Sequence, residues 1–282
     1  MDHDTDEPGA HVCVVACGGT IASEPDADGA APAKDGSDLI DAVPGVTDYA
    51  AVSTREACAQ PGFDVRWRDL FAVVAAARAA VAEGADGIVV THGTDTLTDT
   101  AYALDLLTDL PVPVVVTGAQ RRLDEPSSDV PANLTLAVRT AADERFEPGV
   151  HVAFDDEVHA GRDAVKTHSN ALSTMASPAS APVATVTRST TRVLREPRRG
   201  VASDPLCVPD GPIDASDPEA AEELVPAVPV IHSGTGVSGS DASIGPSGTH
   251  SGSPATLRRG CSASRVVDRV TVATGADAGD AI

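Results

Sequence analysis

Lysine is almost missing from this chain. Lys34 and Lys166 are the only two among 20 basic residues, and the others are arginines. Aromatic residues make up 2%, so a core here must be built from Ala, Val and Leu rather than rings. No run approaches the ~18 apolar residues that a membrane span requires. The segment Met1 to Ala10 is acidic and has no apolar stretch, which argues against a signal peptide and for a cytoplasmic protein. The cysteines (Cys13, Cys17, Cys58, Cys207 and Cys261) form neither a CxxC pair nor a metal knuckle, so no metal is expected and the thiols are read as reduced. Gly-Lys-Ser/Thr does not occur, and the Gly18-Gly19-Thr20 turn lacks the third glycine of a dinucleotide fingerprint. A nucleotide-binding reading would therefore rest on Gly-rich turns alone, and no cofactor is expected.

Acid is abundant. There are 42 Asp and Glu residues, the formal net charge is −22 and the pI is ≈ 4.5. Such a surface repels nucleic acid and anionic membranes. A GC-rich codon bias would explain arginine in place of lysine but not the acidity, so the composition points to a high-salt cytoplasm. At 282 residues, 42% of them apolar, the chain can bury one large core or two ordinary ones.

Along the chain, apolar runs end in small-residue turns. His11 to Ala16 reads as a strand entering Cys17-Gly18-Gly19-Thr20-Ile21-Ala22. Glu24 to Gly36 has no periodicity and reads as a mobile loop. Asp38 to Val43 suits a short helix. Gln60-Pro61-Gly62-Phe63 reads as a turn. Arg68 to Glu83 carries Leu70, Val73, Val74, Ala77 and Val81 at helical spacing. Gly87 to Val90 is a strand that breaks into Thr91-His92-Gly93-Thr94-Asp95-Thr96. A helix follows over Thr98 to Leu107. A further strand over Val112 to Val116 ends in Thr117-Gly118-Ala119-Gln120, a helix covers Asn133 to Arg145, and a strand covers Val150 to Phe154. This alternation predicts an α/β fold, a wound and mainly parallel sheet with helices on both faces. Ligands of such sheets bind beyond the carboxyl ends of the strands, so Thr20, Thr94 and Gln120 should share one rim. From Asp155 the chain reads as irregular up to a hairpin or extended connection over Val183 to Leu194.

Residues 1–195 thus form one expected domain and residues 196–226 a Pro- and Asp-rich linker. Val228 to Gly236 resembles a new strand and turn, but Ser238 to Pro254 is Gly- and Ser-rich. Residues 227–282 therefore read as a second, smaller and incomplete α/β domain with too little apolar area for a self-supporting core.

Three clusters carry a family likeness: Gly18-Gly19-Thr20-Ile21-Ala22, Thr91-His92-Gly93-Thr94-Asp95-Thr96 and Gly161-Arg162-Asp163-x-x-Lys166-Thr167. With Ser128-Asp129-x-x-x-Asn133-Leu134, this ordered set resembles the bacterial-type L-asparaginase (asparaginase/glutaminase) family over roughly Val12 to Arg195. The resemblance implies that Thr20 is the nucleophile, that Lys166 acts as base toward Thr94, and that Asp95 orients the lysine and holds the substrate's α-ammonium. Gly93 and Gln120 join Thr94 and Asp95 as substrate-binding candidates. Amide hydrolysis needs a nucleophile, a base and an oxyanion site, and backbone N–H groups around Thr94 and near Ala119 are candidates for the last.

The implied reaction converts L-asparagine, or L-glutamine, to the acid and ammonia in a homodimer or homotetramer. Three departures stand out. Glu24 to Gly36 lacks the family's loop tyrosine, no serine stands near Gln60 to Asp64, and the tail departs from the family's second domain as a truncated or frame-shifted remnant would. That second domain supplies an acid to the neighbouring subunit's site. Two alternatives remain. One is the ammonia-generating, asparaginase-like subunit of a tRNA-dependent glutamyl amidotransferase, which usually has an extra domain before the first strand. The other is an inactive fragment.

Overall fold

The structure is a computed structural model that describes residues 9–26, 29–32, 34–43, 45–187 and 190–196. The expected linker and C-terminal domain (196–226 and 227–282) lie outside the described residues, apart from Glu196.

Strand β1 (His11–Ala16) leads into a 3-10 turn, Thr20–Ala22, and then β2 (Ser23–Asp26) and β3 (Gly29–Pro32). These two pair antiparallel with Ser23 opposite Pro32. The stretch expected as a loop is therefore largely a hairpin, because strand pairing of backbone groups needs no apolar periodicity. Helix α1 (Gly36–Asp41) starts at Asp35, whose side chain accepts from the Asp38 N–H in a capping box. Then come β4 (Ala51–Glu56), α2 (Trp67–Ala82), β5 (Gly87–Thr91), α3 (Leu97–Leu107), β6 (Pro113–Thr117), α4 (Val130–Ala142) and β7 (Gly149–Phe154). Helix α4 begins three residues before the expected Asn133, since Pro131 suits the first turn, where no N–H partner is needed.

After β7 the chain does not become irregular. Asp155 and Asp156 take left-handed φ values of 48° and 63°, a conformation that Asp tolerates better than most residues. They turn the chain into β8 (Glu157–Ala160), which pairs antiparallel with β7. A small ladder of β9 (Val165–Lys166) with β10 (Met175–Ala176) follows. The hairpin of β11 (Ala184–Val186) and β12 (Thr191–Val193) then falls where it was expected.

The main sheet has the order β12-β11-β8-β7-β6-β5-β1-β4. Strands β4, β1, β5, β6 and β7 are parallel, and the β8 side is antiparallel. This is the expected wound, mainly parallel α/β sheet. Alternation along β1 divides the core. Val12 and Val14 pack with Leu39 of α1 and Leu134, Ala137 and Val138 of α4. Cys13 and Val15 pack on the opposite face with Phe71 and Val74 of α2 and Leu97 and Leu104 of α3. Burial of both faces explains why β5 and β6 read as continuous apolar runs. Because β1, β5 and β6 pair parallel, their carboxyl ends share one edge.

Candidate active site

The segments leaving the carboxyl ends of β1 and β5 meet each other backbone to backbone. A Cβ at Gly19 would lie 2.3 Å from the Gly93 nitrogen, and one at Gly93 would lie 2.6 Å from both Cα and N of Gly62. Gly19 also has φ 83°, a conformation that favours glycine. Three turns (18–20, 60–63 and 92–95) are therefore stacked at a spacing that only glycine permits. The Gly19 N–H donates to the Gln60 carbonyl at 3.0 Å, and the Thr96 hydroxyl donates to the Gly62 carbonyl at 2.5 Å.

His92 sits beneath this stack, fully buried. Its Nδ1 lies 2.8 Å from the Gly93 carbonyl, to which it must donate, so its Nε2 accepts from the Thr100 hydroxyl at 3.0 Å. Burial pushes its pKa down, which keeps the ring neutral and fits it as a brace for the turn.

Above the stack opens a cavity of ≈ 250 Å³. Thr20 and Ser23 come from the first loop, Pro61, Gly62 and Phe63 from the second, Gly93, Thr94 and Asp95 from the third, and Gln120, Arg122 and Glu125 from the fourth. Lys166 on β9 reaches the same place from behind. Its Nζ donates to Thr94 Oγ1 at 2.9 Å and to Asp95 Oδ1 at 2.9 Å. Thr94 Oγ1 in turn donates to Gln120 Oε1 at 3.3 Å. The Gln120 amide is oriented by its own donation to the Ala171 carbonyl at 3.2 Å.

The Gln120 turn is itself held by a carboxylate. Asp129 accepts from the backbone N–H groups of Gln120 and Arg121, both at 2.9 Å. Asn133, almost fully buried, donates to Asp129 and to the Gly118 carbonyl and accepts from the Asp155 N–H. The Ser128-Asp129 and Asn133-Leu134 motif is thus the support of the fourth loop.

Every residue singled out in the sequence for the site, namely Thr20, Gly93, Thr94, Asp95 and Gln120 with Lys166 behind them, stands at this one rim. Ala119 is different. It is fully buried and does not line the cavity, and the N–H that follows it, that of Gln120, donates to Asp129. Ser23, Phe63, Arg122 and Glu125 join the cavity without a sequence signal of their own. Phe63, 64% exposed at the cavity wall, was legible only as part of a turn. The cysteines also depart from expectation, because Cys17 and Cys58 form a disulfide while Cys13 is free and buried. They lie 41 positions apart, and only the parallel pairing of β1 with β4 brings them together. Among the described residues no group of His, Cys, Asp and Glu is arranged to hold a metal, and no helix is long and apolar enough to cross a membrane.

A wound α/β domain that gathers two threonines, a carboxylate and a lysine at a strand-end cavity has side chains of the kinds that amide hydrolysis uses. Residues 11–199 match the family model "Asparaginase, N-terminal", and the chain belongs to the asparaginase family. It is 36% identical over 206 residues to a glutamyl-tRNA(Gln) amidotransferase component from Methanothermobacter thermautotrophicus, an alignment covering 71% of this chain and 47% of that protein. It is 37% identical over 173 residues to a probable periplasmic L-asparaginase of Haemophilus influenzae, covering 60% of this chain and 49% of the relative. The chain thus spans about half the length of these relatives. Among solved structures it is similar to a probable cytoplasmic L-asparaginase from Campylobacter jejuni. That match has a TM-score of 0.62 and 30% identity, over 67% of this chain and 58% of the other.

Proposed function

We propose that this chain is an L-asparagine amidohydrolase acting through a threonine ester, with L-glutamine as a second candidate substrate. The observation that carries the reading is Lys166 Nζ, 2.9 Å from both Thr94 Oγ1 and Asp95 Oδ1. Thr20 Oγ attacks the side-chain amide carbon, the C–N bond breaks, and ammonia leaves with a proton supplied at the site. Water then cleaves the ester and releases L-aspartate. Lys166 and Thr94 move protons along their hydrogen bond, and Asp95 orients the lysine while facing the substrate's α-ammonium. Thr94, Asp95, Gly93 and Gln120 bind the substrate.

A second reading is favoured by relatives such as the Methanothermobacter amidotransferase component: ammonia made at the same threonines is delivered to a partner enzyme working on tRNA. Ammonia release from L-asparagine in high salt, with neither tRNA nor partner present, distinguishes the two. We expect release from the purified chain alone. Release that appears only on addition of amidotransferase partners would favour the second reading. We also propose a high-salt cytoplasm and a family-like homodimer or homotetramer, tested by subunit mass on the same sample.

Thr20→Ala and Lys166→Met should each lower ammonia release by about three orders of magnitude, the scale for losing a nucleophile or base. Their melting profiles should stay like the parent's. Near-parental turnover in either variant removes that residue from the mechanism.

A further inference from the structure

Among the described residues, the Cys17–Cys58 disulfide is the one side-chain covalent link, and it joins two walls of the cavity. Cys17 directly precedes the Gly18-Gly19-Thr20 turn, and Cys58 precedes the Gln60 to Phe63 turn. At the base of the paired segments, the N–H groups of Ala57 and Cys58 donate to the Ala16 carbonyl at 2.9 and 3.2 Å. The disulfide comes next. Beyond it the Gly19 N–H donates to the Gln60 carbonyl at 3.0 Å. Past that single bond the two segments diverge to present Thr20 and Ser23 on one side and Pro61 and Phe63 on the other.

The link is therefore a clamp set one turn behind the proposed nucleophile. Cys17 is fully buried and Cys58 is only half-buried. Cys13, four residues back along β1, is a free thiol, but it is buried, and burial pushes its pKa up. It is a poor thiolate and no rival for the exchange.

We propose that Cys17–Cys58 is a reversible redox site that couples thiol–disulfide exchange with a dithiol reductant to the geometry of the active-site rim. The half-buried Cys58 Sγ is the sulfur attacked. A reductant thiolate bonds to it, the Cys17–Cys58 bond breaks, and Cys17 leaves as a thiolate that takes a proton. The reductant's second thiol then displaces Cys58, which leaves as a thiol. The reductant ends as a disulfide, with two electrons and two protons transferred to the protein. Oxidised, the clamp holds Thr20 against the Pro61 to Phe63 wall. Reduced, the Gly19–Gln60 hydrogen bond is the contact left between the first two turns beyond Ala16, and the Pro61 to Phe63 wall loses its fixed place relative to Thr20. Disulfides are uncommon in reducing cytoplasm unless they are functional, which gives this pair a reason to occur in the cytoplasmic enzyme proposed above. The link to activity rests on the amidohydrolase reading, whereas the link to loop order does not.

The test uses the full chain in high salt, with and without dithiothreitol. A non-reducing peptide map should show Cys17 joined to Cys58, and reduction should expose both to alkylation. Amide hydrogen exchange should speed up by about tenfold or more in residues 18–23 and 58–63 together, with α2 to α4 unchanged. The melting temperature should fall by about 10 °C, as expected for opening a loop of this length. Cys58→Ser should show the reduced pattern in both conditions. Ammonia release should drop by about fivefold or more on reduction and return with oxidised glutathione. Free thiols before reduction, pairing with Cys207 or Cys261 instead, or exchange indifferent to dithiothreitol would each overturn the proposal. Equal ammonia release in both states would overturn its control of activity. Loops that loosen on reduction while neither state releases ammonia would leave the clamp standing and remove the amidohydrolase reading.

Discussion

Thr94 accepts from Lys166 Nζ and donates to an amide oxygen, so its hydroxyl hydrogen has one direction to point and its remaining lone pair faces away from Lys166. That order depends on where Gln120 stands, and therefore on Asp129, a nearly buried carboxylate that accepts three N–H groups. Asp129→Ala leaves those donors without a partner, at a cost of about 2–4 kcal/mol of stability. Urea unfolding should show the loss, and turnover of the folded fraction should fall about tenfold as Gln120 drifts. Asp129→Asn keeps one acceptor oxygen and should lie between the two.

A buried histidine weakens the fold in acid. His159 is fully buried, its Nδ1 lies 3.0 Å from the Ser177 hydroxyl, and its Nε2 has no hydrogen-bond partner. Burial, with Arg195 nearby, lowers its pKa from 6.5 to about 4. The Glu157 carboxylate 3.5 Å from Nε2 does not offset this, since burial raises its own pKa and so disfavours its charged form. Between those two values the unfolded chain binds a proton that the folded chain refuses, so stability is full above pH 6.5 and is lost as pH falls toward 4. One such group accounts for about 3 kcal/mol at most. Denaturation midpoints measured across that range should slope accordingly, and His159→Gln should flatten much of the slope. Burial likewise lowers the pKa of His92 and His151, which add in the same direction.

Between single residues and the whole sheet, the decisive unit is the strand with the turn that leaves it. Strands β1, β5 and β6 deliver Thr20, Thr94 and Gln120 to one edge because all three run parallel in register. Gly93→Ala tests how tightly these turns are stacked. Its Cβ would lie 2.6 Å from Gly62 backbone atoms, which cannot swing aside as a side chain can. The substitution should cost about 2–3 kcal/mol and lower turnover of the folded enzyme about a hundredfold. A melting temperature within 1–2 °C of the parent, read by calorimetry as under about 1 kcal/mol, would show the turns to be more yielding than their contacts imply.

The same units explain what sequence alone could reveal. Buried strands such as Gly87–Thr91 and Pro113–Thr117 are apolar on both faces and stand out plainly, and the shared rim follows from them. Strand β4 (Ala51–Glu56) is half-exposed throughout, so its Ser, Thr, Arg and Glu disguise it as a loop. Strand β8 is hidden for another reason, because its entry depends on left-handed Asp155 and Asp156 rather than on a glycine. With β4 unseen, the approach of Cys58 to Cys17 and of Gly62 to Gly93 had no basis, since both depend on where that strand ends. Arg122 and Glu125 stay inconspicuous because nothing in their spacing separates a charged cavity wall from an ordinary surface loop. Lys166 is the opposite case. Scarcity draws attention to it, but its partners Thr94 and Asp95 are more than 70 positions away, and only the family likeness joins them.

At the scale of the whole molecule, charge dominates. With 42 acidic side chains against 20 basic ones, the net charge of −22 survives even if every arginine and lysine finds a carboxylate. Surface pairs such as Lys34–Glu24, Arg66–Asp64, Arg122–Asp124 and Arg145–Asp143 each offset little, because exposed pairs contribute ~1 kcal/mol or less. The surplus repels itself in the compact state more than in the expanded one. Salt shortens the reach of that repulsion from about 10 Å at 0.1 M to about 3 Å at 1 M. Raising KCl over that range should therefore increase the melting temperature, by about 10 °C if roughly 3 kcal/mol of repulsion is screened in a domain of this size. General salting-out of apolar surface would act in the same direction, and acidity separates the two causes. Near pH 4.5, where the chain approaches its isoelectric point of ≈ 4.5, the repulsive part should vanish while the apolar part persists. A salt dependence that is as steep at pH 4.5 as at pH 7.5 would assign the effect to burial instead of charge, and would leave the acidic surface without a role in stability.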